Sequence, residues 1–366
     1  MLTELSLHEY RTHTATTIPL TPLCVLVGPN AVGKSSALEA LAVLGRLLDE
    51  PADRVFVGSR ELRWLVRRGA TGDLKIQVRG KTAEGAMWHV VATAPRPGEV
   101  RPTKVDWTSR ARTGLMKGHA PKDPLPAGAE PLRSAVTLRL DSRRLAEPSS
   151  STEEVPRLRE DGYGLATVLS ALKLASTDRF GALQEAACAI VPTLRGIGLK
   201  RTRLERQSPR ALTIEGQTVV VQEKEVVIAE ELVLDFADAT GLPAHAASEG
   251  TLIVLGILAM VYGLSAPRLL LLEDLERALH PKAQTDLIAG LRKALAAAPE
   301  TQIVATSHSP YLVDAFEPQE VVVLGRGSDG RVAARRLSDH PKVRLMKVLT
   351  SGEFWSAEGE AWVAGS

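Results

Sequence analysis

The chain has 366 residues, enough for a large core and two domains, and its 44% hydrophobic and 24% charged make-up is that of a soluble globular protein. A formal net charge of +2 excludes a polycation, so any nucleic-acid surface is a local patch. Two well-separated cysteines, Cys24 and Cys188, exclude a disulfide framework and point to a reducing, cytoplasmic setting. Met1–Leu5 has neither the basic nor the apolar region of a signal peptide. The longest apolar stretch, Leu252–Ala266, is too short to span a bilayer, so no membrane contact is expected.

In chain order, residues 2–27 alternate apolar and polar and predict strands, the last being the apolar run Leu23–Val27. Gly28-Pro29-Asn30-Ala31-Val32-Gly33-Lys34-Ser35 follows at once, two glycines four residues apart and then lysine and serine. A helical pattern runs over 36–49, beginning at Ser36. Glycine-rich turn between strand and helix is the P-loop arrangement: backbone N–H groups wrap a phosphate chain and the helix N-terminus adds partial positive charge. Lys34 then reaches the β- and γ-phosphates, and the Ser35 hydroxyl meets Mg²⁺.

Residues 60–69 read as a short amphipathic helix closed by Gly69, and 73–79 and 86–93 as strands of an antiparallel sheet. The proline-, glycine- and arginine-rich stretch 94–132 predicts an extended loop. A strand is expected over 135–140, a polar linker over 147–154 and helix in two pieces over 163–191, parted near Ser176–Asp178 and forming a small cap. Residues 211–234 alternate as strands. Beyond Gly241 the pattern is α/β again: helix 249–264, strand 268–273, helix 281–297, strand 301–306, short helix 309–315 and strand 319–324.

Two strand ends carry chemistry. Leu269–Leu272 delivers Glu273 and Asp274, the way P-loop enzymes place a Mg²⁺ contact (Glu273, through water) and a water-orienting base (Asp274). Ile303–Thr306 delivers Ser307-His308, and a histidine there reaches a γ-phosphate as donor. Ser248-Glu249-Gly250-Thr251 opens the long apolar helix; a serine-glycine start either caps that helix or leaves N–H groups free for an anion. With the P-loop filling the local phosphate site, the anion reading gives this helix end a nucleotide held by another subunit.

These elements, in this order, resemble the ABC-type ATPase heads of the RecF/SMC class and, more closely, the "AAA family ATPase" proteins related to OLD-nuclease and Septu-type ATPase subunits. The residues that carry the resemblance are Gly28–Ser36, Ser248–Thr251, Leu269–Asp274, Leu279-His280-Pro281 and Thr306–Pro310, with Asp161–Ala166 and Ser351–Trp355 as further typical segments. The resemblance implies an α/β fold, an ABC-type P-loop NTPase head with a mixed central sheet, an antiparallel β subdomain and a small helical insertion. It implies lobes over 1–146 and 211–366, with the insertion at 147–210. It further implies an ATPase binding ATP and Mg²⁺ and a homodimer or higher oligomer that sandwiches ATP. In that sandwich Ser248 and Gly250 touch the γ-phosphate on the opposite P-loop. Tyr10-Arg11 matches an aromatic-basic pair of the family, which directs Arg11 toward a phosphate or nucleobase. Two departures stand out: Glu273 precedes Asp274 where the family has Asp then Glu, so slow turnover is expected, and Leu275 replaces a proline.

The use made of ATP is less legible. Residues after His308 lack an acidic cluster with metal-site spacing, so no nuclease is expected and the output falls to a partner. Three readings follow: a head that switches a separate effector, as in anti-phage defence; a RecF-like DNA clamp; and a nucleotide-dependent scaffold with little turnover. DNA is the partner the second requires. Basic clusters at Arg63, Arg67 and Arg68, at Arg96, Arg101 and Lys104, at Arg110, Arg112 and Lys117, and at Lys200, Arg201, Arg203 and Arg206 are its candidate phosphate grips or, equally, solvated surface.

Overall fold

The computed structural model describes all residues except 112–113, 121, 215–216, 343–347 and 365–366. Its strands are β1 Leu2–Tyr10, β2 His13–Pro19, β3 Leu23–Val27, β4 Leu74–Lys81, β5 Met87–Ala94, β6 Lys104–Ala111, β7 Gly114–His119 and β8 Ala135–Leu138, then β9 Leu194–Ile214, β10 Gln217–Phe236, β11 Leu242–Pro243, β12 Leu269–Leu272, β13 Gln302–Thr306, β14 Val321–Arg326 and β15 Val332–Arg336. Contacts divide the chain into two units, Met1–Leu138 with Pro267–Ser366, and Arg139–Ala266.

The first unit holds two sheets. The mixed one runs β15-β14-β3-β13-β12-β8, with only β15 antiparallel. Every residue of β3, β12 and β13 is buried, as parallel strands covered on both faces require. The other sheet, β2-β1-β4-β5-β6-β7, is antiparallel throughout. Buried Gln302 ties β1 to the mixed sheet: its Oε1 accepts from Leu2 N at 2.9 Å, and its Nε2 donates to the carbonyls of Leu2 at 2.9 Å and Thr21 at 2.8 Å.

Several boundaries differ from expectation. The loop predicted over 94–132 contains β6 and β7. Proline and glycine around them hid the alternation of Val105 and Trp107, both buried, and Trp107 packs over Gly118 on the facing strand. The helix predicted over 60–69 shrinks to a turn at Gly58–Arg60 and a helix at Leu62–Leu65. The chain then extends because the β1–β2 turn offers backbone partners: Arg11 N–H donates to Leu65 O at 2.6 Å and Arg67 N–H to Glu9 O at 2.8 Å.

The second unit contains helices Leu165–Ala175 and Thr177–Ile190, parted at Ser176, whose side chain caps the second. It also contains the long apolar helix Glu249–Tyr262. Residues 194–210, expected within the helical insertion, instead form most of β9, paired antiparallel with β10 from Leu194↔Phe236 to Ile214↔Gln217. Cross-strand Lys200–Glu231 and Arg201–Glu230 pairs balance charge along the hairpin, which made its basic arm hard to read as a strand.

Candidate nucleotide site

The mixed sheet sets the site. Leu26 lies opposite Thr306, and Ala305 opposite Leu272, so β3, β13 and β12 end at one level on adjacent positions. Gly28, Ser307 and Glu273 therefore leave the sheet side by side. In an open α/β sheet the carboxyl ends of parallel strands are where ligands bind.

After β3 the chain turns through positive φ at Gly28 (141°), Ala31 (61°) and Gly33 (110°), and helix Lys34–Leu47 starts with Gly33 as N-cap. Only glycine fits the last turn: a Cβ on Gly33 would lie 2.6 Å from Thr12 Oγ1 and collide with His13. Pro29, Asn30, Ala31 and Ser35 are exposed, Gly33 and Ser36 half-buried, and Gly28, Val32 and Lys34 buried. The Lys34 ammonium donates to the carbonyls of Gly28 at 2.8 Å and Pro29 at 3.0 Å. Burial lowers its pKa, and the carboxylates of Asp274, Glu276 and Glu360 oppose that shift.

The acidic tip is braced against β13. Asp274 has φ 47°, its N–H donates to Thr306 Oγ1 at 3.0 Å, and Leu275 N–H donates to Thr306 O at 3.1 Å. Glu273 N–H donates to Leu138 O at 3.2 Å. Asp274 is exposed and Glu273 half-buried. His308 is exposed, and its N–H donates to Glu276 Oε1 at 2.8 Å. Lys34, Glu273, Asp274 and His308 thus come from three neighbouring strand ends.

The β1–β2 turn closes the loop from another side. His13 is fully buried, its Nε2 3.1 Å from Gly33 O and its Nδ1 3.1 Å from Thr16 Oγ1. Burial drives its pKa down to about 4. A neutral ring donates from Nε2 to Gly33, since a carbonyl only accepts, while the Thr16 hydroxyl beside Nδ1 donates to Val332 O at 2.8 Å. Arg11, with φ 49°, pairs with Glu39 at 2.6 Å. It also lines a cavity of about 490 Å³ beside Ser36, together with Thr12, Trp64, Arg67 and Arg326.

His13, Trp64 and Arg326 escaped the sequence reading, and Glu276, part of the segment after the acidic pair that carries the resemblance, was given no site role. Its signal was its position two residues beyond the acidic pair. Ser248, Glu249 and Gly250 belong to the second unit, where Ser248 caps its helix by accepting from Thr251 N–H at 3.3 Å. Among the described residues no group of three or more His, Cys, Asp or Glu side chains forms a metal cage. Mg²⁺ in a P-loop site needs no such cage, being held by one or two protein ligands and the phosphates. Exposed Ser35 and half-buried Glu273 carry the oxygens such an ion would need.

Many basic residues flagged in the sequence are answered by acids: Arg67 by Glu9 at 2.6 Å, Arg63 by Glu61 at 2.7 Å, Arg96 by Glu99 at 2.6 Å and Arg101 by Asp73 at 2.7 Å. Arg112 lies outside the described residues. Among the described residues no helix is long and apolar enough to cross a membrane.

The fold is that of SMC heads. An SmcHead bound to the C-winged helix domain of ScpA superposes with TM-score 0.54 at 11% identity, covering 91% of this chain and 97% of that one. The Smc head domain with an extended coiled coil, bound to the C-terminal domain of ScpA derived from Pyrococcus furiosus, gives TM-score 0.50 at 11% identity over 95% and 98%. In sequence, the Septu protein PtuA of Bacillus thuringiensis is 38% identical over 69 residues, 19% of this chain and 17% of that protein, so the match spans a small part of the relative. The family model described as "AAA domain, putative AbiEii toxin, Type IV TA system" matches residues 23–314, from the P-loop strand past the strand-end histidine. Match and geometry coincide on the same strand ends, and the chain belongs to this AAA-domain family, as an ATPase-type P-loop head.

Proposed function

We propose that the protein is a Mg²⁺-dependent ATPase that closes into a dimer around ATP and thereby switches a separate effector protein. The observation that carries this is the alignment of β3, β13 and β12, which sets a P-loop, a histidine and an acidic pair at one sheet edge. Backbone N–H groups of Gly28–Ser36 cradle the phosphates, and Lys34 exchanges its carbonyl partners for β- and γ-oxygens. Mg²⁺, when bound, neutralises charge on those oxygens, with Ser35 and Glu273 as its protein contacts. Asp274 orients the attacking water, and His308 donates to the γ-phosphate. Arg11 and the cavity beside Ser36 take the nucleoside end, because Ser36 stands where the phosphate chain leaves the loop.

Ser248, Glu249 and Gly250 of a second copy seal the γ-phosphate. ATP then binds the closed dimer better than the open one, and hydrolysis removes the difference. The match to a Septu protein supports a defence setting for the effector. The DNA-clamp reading has less support, since ion pairs already engage Arg67, Arg96 and Arg101.

The test is calorimetric titration with Mg–ATP, together with light scattering with and without ATP. Wild type binds and doubles in mass. Lys34→Ala loses two charge-assisted contacts, about 3 kcal/mol or roughly 100-fold in affinity. Equal ATP affinity in that variant removes the P-loop assignment, and an unchanged mass with ATP removes the dimer.

A further inference from the structure

We propose that Glu276 is a second working carboxylate of the hydrolysis site: its Oε2 accepts a hydrogen bond from the attacking water while its Oε1 holds the His308 segment beside it. This rests on the ATPase reading above and adds a residue to it. Oε1 accepts from His308 N–H at 2.8 Å, which spends one oxygen on positioning. Oε2 is fully buried and has no hydrogen-bond partner among the described residues. A buried acceptor left open is unfavourable, so this oxygen beside the His308 segment is a place for a ligand to supply the donor.

The surrounding segment is built to hold still. Thr306 fixes the backbone of Asp274 and Leu275, Gln284 Nε2 donates to Leu279 O at 2.9 Å, and Gln284 Oε1 accepts from Ser309 Oγ at 2.7 Å. Both ends of the turn that carries Glu276 are therefore tied to the strand end that carries His308. Asp274, by contrast, is exposed, one methylene shorter than glutamate, and sits on left-handed backbone. The Glu276 carboxylate also lies within electrostatic reach of the P-loop ammonium, where it favours the charged form of Lys34.

In the step itself the water oxygen bonds to the γ-phosphorus as the bond from that phosphorus to the β,γ-bridging oxygen breaks. ADP leaves with the bond's electron pair, and the water proton passes through the Glu276 carboxylate to solvent. The products are ADP, phosphate and one proton.

Glu276→Gln keeps an oxygen to accept from His308 N–H but cannot take a proton. Three readouts are compared with wild type: single-turnover ATP hydrolysis, affinity for a fluorescent ATP analogue with Mg²⁺, and hydrogen exchange over residues 306–309. The expected result is a turnover loss of at least about 100-fold, the size of a general-base contribution, with affinity within about threefold and exchange unchanged. Glu276→Asp keeps the charge and recovers part of the turnover, which holds the test open if the glutamine variant folds poorly. Turnover within about threefold of wild type in Glu276→Gln overturns the proposal while leaving the ATPase reading in place. Turnover lost together with faster exchange at 306–309 also overturns it, by showing a purely structural anchor. A wild-type chain that binds no ATP sinks the ATPase reading itself, and this inference with it.

Discussion

His13 makes the stability of this protein depend on pH in a calculable way. The ring is fully buried beneath the P-loop, and the fixed charge of Arg326 adds to burial in lowering its pKa to about 4, from 6.5 in the free side chain. Between those values the unfolded chain binds a proton that the folded chain refuses. Stability from this residue is therefore complete above pH 6.5, falls as pH falls through the window, and reaches its full loss below pH 4. The shift of about 2.5 units corresponds to about 3.4 kcal/mol in full, and to about 2 kcal/mol at pH 5 relative to pH 7.5. The assay is urea unfolding at pH 7.5, 6.5, 5.5 and 5.0 for wild type and His13→Gln. Glutamine still donates to Gly33 O but does not titrate. The difference in unfolding free energy between the two chains changes by about 2 kcal/mol across the series, wild type losing more. Parallel curves refute the reasoning, because they mean that His13 protonates as easily folded as unfolded.

Three further outcomes follow from the geometry. Gly33→Ala places a Cβ 2.6 Å from Thr12 Oγ1 on backbone with φ 110°. It costs about 1–3 kcal/mol of stability and abolishes ATP binding by calorimetry, and normal affinity contradicts the strained-loop account. Gln302→Leu strands the backbone groups of Leu2 and Thr21 that it now satisfies. A loss of about 2–4 kcal/mol in urea is expected, and a loss below about 1 kcal/mol shows that water replaces the side chain. Ser248→Arg removes a helix cap worth about 1 kcal/mol. It leaves ATP binding to the single chain intact but ends ATP-driven doubling of mass in light scattering; doubling that persists rules the serine-led helix out of the dimer.

Short-range chemistry was readable directly. The P-loop followed from Gly28, Gly33 and Lys34 between an apolar strand and a helix, because positive φ and phosphate wrapping are demands on a few adjacent residues. The acidic tip at Glu273-Asp274 and the strand leading to His308 were legible for the same reason: a short, mostly apolar buried run marks a central parallel strand, and whatever follows it lies at the strand end. Strand–helix alternation then carried the fold class, with its mixed sheet and antiparallel subdomain.

Tertiary structure decided what depends on partners distant in sequence. Which strands adjoin is a matter of pairing, and β3 lies beside β13 through residues as far apart in sequence as Leu23 and Ile303, which share no local pattern. A histidine opening β2 says nothing of the Gly33 carbonyl it supports, and Glu276 looks like a surface acid until His308 N–H meets one of its oxygens and burial closes over the other. The basic arm of β9 and the Gly- and Pro-flanked β6 become strands only because facing acids and a facing glycine complete them. Local sequence sets what a backbone segment is able to do; the energy of a cross-strand bond or a buried charge exists only once the distant partner is in place.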